Sequence, residues 1–108
     1  MHHPTALIPR PSAALAEHRD VIWAVLADYG VVAAGVFGSV ARGEDGPESD
    51  LDLIVRFAPG RPRDVIRLAD ALFDLVGTRV DVVDQEAVWA RAKATGIGMS
   101  ILSETVPL

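Results

Sequence analysis

The sequence contains no cysteine, which excludes disulfide staples and thiolate metal sites and suits a reducing interior, so a cytoplasmic protein is expected. Basic charge is also scarce: ten lysines and arginines stand against fifteen aspartates and glutamates, a formal net charge of −5. That balance argues against a general polyanion binder, and no direct nucleic-acid contact is expected. Long hydrophobic runs are missing too. A stretch such as Val31–Phe37 falls far short of a membrane span, so no membrane association is expected. The opening Met1-His2-His3-Pro4 has no basic region ahead of an apolar core, which speaks against a signal peptide. Internal repeats, low-complexity segments and linkers are absent, and 108 residues leave room for one domain of ordinary size.

What is present is an alternation of helical and strand patterns in a chain that is 50% hydrophobic. Residues 1–11 carry three prolines and are expected to form a leader, with a single domain over 12–108. Ser12 is the expected N-cap of a first helix over 13–29, where Leu15, Ile22, Val25, Leu26 and Tyr29 recur at helical spacing and Gly30 supplies the stop. The run VVAAGVF at 31–37 is short, apolar and valine-rich, and predicts a buried strand. Residues 39–44 predict a one-turn helix capped by Ser39, and DGPES at 45–49 a loop. A second strand follows at 51–57, a helix at 63–77 ending on Gly77, a third strand at 78–83 and a further helix at 84–93. The last residues, GIGMSILSETVPL, predict a short closing helix and tail. This order describes an α/β (α+β) fold, a small mixed sheet with helices mainly on one face.

The chemistry concentrates in GVFGSVARGEDGPESDLDLIV, residues 35–55. In its closing strand Leu51, Leu53 and Val55 point one way and Asp50 and Asp52 the other. In the third strand Val80 and Val82 share a face and Asp81 takes the opposite one. If the two strands are neighbours, all three aspartates meet on one uncovered face. Carboxylates so close raise one another's pKa unless cations lie among them, and the hard cations Mg²⁺ and Mn²⁺ prefer such oxygen ligands. Two ions about 3.5–4 Å apart can clamp the attacking and leaving oxygens of a phosphoryl displacement. Upstream, Gly38-Ser39 stands at a strand-to-helix turn, where backbone N–H groups and a hydroxyl can receive phosphate oxygens. Nucleotide chemistry is the natural reading.

Gly38-Ser39, ten intervening residues and Asp50-Leu51-Asp52 resemble the signature of the DNA polymerase β-like nucleotidyltransferases. The fuller string GSVARGE…SDLDLIV is similar to their minimal members, the MNT-domain antitoxins of type VII-like HEPN/MNT toxin–antitoxin pairs. The likeness runs from the first helix to SETVPL and is looser past Asp81. It implies the minimal nucleotidyltransferase fold, with Asp50 and Asp52 binding Mg²⁺ and a third carboxylate matching Asp81. It also implies that Gly38 and Ser39 hold the triphosphate of ATP. Antitoxins of this kind transfer AMP to a tyrosine of the partner HEPN toxin, a ribonuclease, and silence it, which implies a hetero-oligomer with the toxin. An alternative of another class is an antitoxin that neutralises by stoichiometric binding without catalysis. Transfer to a small drug, as in larger relatives, is disfavoured because the chain has no room for a drug-binding domain.

Several residues carry competing readings. Asp84 also stands near the third strand, but it precedes QEAVWARAK and is well explained as a helix cap, whereas Asp81 lies between valines, where an unpaired charge facing a core is costly. Arg42 either reaches a phosphate or pairs with Glu44, itself expected to be solvated, and Ser49 can cap the turn before the strand. His18 has no companion at metal spacing, and Trp23 and Trp89 read as packing or partner contacts. Arg61, Arg63 and Arg67 form a loop and a solvated helix face, with toxin docking or phosphate steering as the alternative.

Overall fold

The computed structural model describes residues 10–108. The chain runs α1 (Pro11–Asp28), β1 (Val31–Phe37), α2 (Gly38–Arg42), β2 (Leu51–Phe57), α3 (Val65–Val76), β3 (Val80–Asp84), α4 (Gln85–Thr95), α5 (Met99–Glu104) and β4 (Val106–Pro107). The four strands form one mixed sheet in the order β3-β2-β1-β4. β1 pairs antiparallel with β2 and with β4, while β2 and β3 are parallel. A parallel neighbour cannot be reached by a tight turn, and α3 supplies the crossover.

The leader expected over 1–11 lies outside the described residues except for its end, where Pro11 is already helical. Proline at the first helical position loses nothing, since its missing N–H has no partner there in any case. The helix therefore starts ahead of the expected cap. The backbone N–H of Ser12 instead donates to Asp45 at 2.8 Å, tying the start of α1 to the loop between α2 and β2. Asp45 is 7% exposed. Burial pushes its carboxyl up, but the N–H and hydroxyl of Ser12 prevail and hold it below its ordinary value.

Leu51, Leu53 and Val55 of β2 join Val36 of β1 and Val80 and Val82 of β3 in one core, which α1 covers with Leu15, Ile22 and Leu26 and α3 with Leu68, Leu72 and Val76. Asp64 caps α3 by accepting the N–H of Arg67 at 3.0 Å, and Gly77, left-handed at φ 76°, ends it. The opposite face is only partly open. There Gly35 and Ile54 line a cavity of about 370 Å³ with Gln85 of α4 and Leu102 of α5. The tail of the chain, expected to be irregular, adds the short strand β4 against Gly35 and Val36. A side chain at Gly35 would collide with Thr105, so only glycine lets this segment lie so close.

Candidate active site

Three elements meet at one end of the partly open face. In the parallel pairing of β2 and β3, Asp52 stands directly opposite Asp81, so the two carboxylates leave the sheet on the same side. Across the antiparallel pair Asp52 is also the partner of Phe37, the last residue of β1. The chain then turns sharply into α2 through Gly38, whose φ of 73° is left-handed. A Cβ at this position would strike Oδ2 of Asp52, so the turn needs glycine for its conformation and for space. Glycine at position 38 thus has a cause within the fold itself, a backbone passing directly over a carboxylate.

Asp52 is half-buried and Asp81 exposed. Burial pushes the Asp52 carboxyl up to about 6, and the neighbouring charges of Asp81 and Asp50 push in the same direction. Asp50 lies just outside β2, with one oxygen 3.9 Å from Nε of Arg79. Arg79 is not among the residues expected from the sequence, although it stands two residues before Asp81 and so on the same side of the strand pattern. Its carbonyl also accepts the N–H of Leu51 at 2.8 Å, which fixes the start of β2 beside β3.

Ser39 is the second residue of α2 rather than its cap, a position taken by Phe37. Its carbonyl accepts the N–H of Glu44 at 2.8 Å and closes the short helix. Arg42 pairs with Glu44, Nε to Oε1 at 2.9 Å, one of the two readings open from the sequence. It also reaches Glu104 at the end of α5, Nη1 to Oε1 at 3.3 Å. The same oxygen of Glu104 accepts the N–H of Gly38 at 3.1 Å. Nothing in the sequence pattern marked Glu104, which lies in the closing segment far from the aspartates. Ser49 accepts the N–H of Gly46 at 2.9 Å and steadies the turn before Asp50. Asp84 caps α4 by accepting the N–H of Glu86 at 2.9 Å, and it pairs with Arg63 at 3.3 Å. Asp84 is thereby occupied while Asp81 faces Asp52.

Among the described residues no three His, Cys, Asp or Glu side chains are gathered closely enough to enclose a metal ion unaided. Mg²⁺ does not require that, because it usually takes one or two carboxylates and completes its shell with water and substrate phosphates. The donor set suits it: all-oxygen, with Asp52 crowded by like charge and desolvated, a state that a nearby cation would relieve.

Residues 19–108 match the sequence model of a family described as nucleotidyltransferase domain. The protein adenylyltransferase MntA of Thermococcus cleftensis is 38% identical over 80 residues, which span 72% of this chain and 75% of that protein. A solved structure of a minimal nucleotidyltransferase matches with a TM-score of 0.71 at 40% identity, over 90% of this chain and 95% of the other. A crystal structure of a toxin–antitoxin with AMP-PNP matches with a TM-score of 0.62 at 23% identity, over 82% of this chain and 69% of that one, a likeness of fold.

Proposed function

The chain belongs to the nucleotidyltransferase domain family, and from that premise we propose that it is an antitoxin that transfers AMP from ATP to a tyrosine of a partner HEPN ribonuclease toxin. The observation that carries this reading is the opposition of Asp52 and Asp81 on adjacent parallel strands, with the Gly38 backbone directly above. The 38% identity to a protein adenylyltransferase favours a protein as the acceptor, and the fold shared with a toxin–antitoxin structure suggests what kind of protein.

Asp52 and Asp81, with Asp50 beside them, would hold Mg²⁺ or Mn²⁺, which when bound supplies positive charge to the triphosphate and to the departing pyrophosphate. The N–H of Gly38, the hydroxyl of Ser39 and the guanidinium of Arg42 would receive phosphate oxygens, a charge-assisted set matched to an anion. In the reaction the tyrosine oxygen forms a bond to the α-phosphorus as the bond from that phosphorus to the bridging β-phosphate oxygen breaks. Pyrophosphate leaves, and the tyrosine proton passes to the carboxylate of Asp81, the most exposed of the site's acids, and on to solvent.

The test is incubation of protein and toxin with ATP and Mg²⁺, followed by peptide mass analysis of the toxin and by stripping the antitoxin away. We expect one or more AMP groups on a tyrosine and a toxin that stays inactive alone, since a phosphodiester does not dissociate. A toxin that emerges unmodified and recovers its activity would replace this reading with stoichiometric neutralisation.

A further inference from the structure

We propose that Glu104 occupies the phosphate seat of the nucleotide-free protein, so that a bound triphosphate has to displace it. The proposal rests on the reading of the site as a nucleotidyltransferase centre and names a competitor built into the chain.

The carboxylate of Glu104 makes both contacts that an anion arriving beside Asp52 would seek. Its Oε1 accepts the N–H of Gly38 at 3.1 Å and lies 3.3 Å from Nη1 of Arg42, with Oε2 3.4 Å from the same nitrogen. The side chain is 32% exposed, so it is largely withdrawn from water. Its position is held from the backbone. Glu104 ends α5, and the hydroxyl of Thr105 donates to the Ile101 carbonyl at 2.6 Å. Val106 and Pro107 pair with β1, and the N–H of Leu108 donates to Ala34 at 3.0 Å. Arg19 on α1 donates to the Leu108 carbonyl. A fourth acid beside Asp50, Asp52 and Asp81 is unfavourable unless positive groups hold it. Glu104 satisfies that need by taking the groups an incoming phosphate would use. The single N–H of Gly38 cannot serve a phosphate oxygen and Glu104 fully at once. Apparent nucleotide affinity is therefore lower than the seat alone would give, by the cost of moving Glu104 aside.

Calorimetry on the full chain decides this, with inorganic tripolyphosphate and ATP as separate probes, each with Mg²⁺. Glu104→Gln keeps an acceptor for Gly38 but loses the charge, and both probes should bind about tenfold tighter, the difference between a charged and a neutral hydrogen bond. Glu104→Ala should tighten binding at least as much. Should alanine loosen the tail and abolish the melting transition, the glutamine variant carries the decision. Glu44→Gln touches the same guanidinium without reaching Gly38, and should change affinity less than about twofold. Unchanged or weaker binding in Glu104→Gln overturns the proposal. Equal tightening by Glu44→Gln also overturns it, because overall charge would then explain the gain. If affinity is unchanged while AMP still reaches the toxin, only the competitor falls. If the wild-type protein binds neither probe, the transferase reading falls with it.

Discussion

A methyl group at position 38 would meet the carboxylate of Asp52 on a backbone already left-handed. The left-handed conformation alone costs an alanine about 1–2 kcal/mol, and relieving the collision would shift Asp52 as well. Gly38→Ala should therefore lower the melting temperature and reduce AMP transfer by at least about a hundredfold, the usual cost of misplacing a reacting group by an ångström. A variant with normal transfer would show that the turn is not part of the site. Asp52 itself yields a pH prediction. Its carboxyl is raised from 3.8 to about 6 in the folded protein. At pH below both values it is neutral in both states and has no effect. Between them the unfolded chain has released a proton that the folded chain still holds, so stability falls as pH rises through that window and remains lower above about 6. Asp52→Asn stays neutral throughout and should lack this fall, melting above wild type at neutral pH in the presence of a chelator while losing transfer. Melting curves across about pH 3–8 test it, and a wild type and variant that stay parallel across the range would refute the raised carboxyl.

Among the elements, Asp81 and Asp84 provide the sharpest contrast, because β3 carries both and uses them differently. Asp84→Asn should leave transfer and stability nearly unchanged, since asparagine caps about as well, whereas Asp84→Ala should cost about 1 kcal/mol through α4. Asp81→Asn should melt normally and transfer little AMP. Denaturation and transfer measured side by side decide it, and the reverse pattern would make Asp84 the third carboxylate. The elements also show where sequence patterns suffice. The limits of β1 and β2 are legible because Gly30 and Gly38 bound an apolar run in β1, and the DGPES and APGRP loops bound the alternating pattern of β2. α1 starts earlier than expected because Pro11 is a good first residue and Asp45, distant in sequence, takes the N–H of Ser12. β4 has two residues, one of them a proline, and no local pattern specifies so short a strand. It exists because Gly35 leaves space for it. Glu104 was illegible for the same reason, as its partners are chosen by the docking of α5 and β4 rather than by spacing.

At the scale of the whole molecule, binding and catalysis can be separated. Asp50→Asn should retain the toxin, because Asp50 lies at the lip of β2 and its neighbour Arg79 is exposed. It should nevertheless fail to protect cells and leave the toxin unmodified. Pull-down and growth measured together check this, and a variant that binds and protects fully would leave a nucleotidyltransferase fold used as a clamp. The sheet order also sets a timetable for synthesis. β1, α2 and β2 are close in sequence and can pair as soon as they emerge, bringing Gly38 and Asp52 together. Asp81 joins only after α3 has crossed to the other side of β2, and β4 must return to β1 from the far end of the described chain. Each later closure spans a longer loop and loses more chain entropy, so each comes later. Loop length thus orders the closures, with the hairpin that bears Gly38 and Asp52 first, then Asp81, and last Glu104. On the reading proposed above, the turn at Gly38 would be complete before the acid that competes for it arrives.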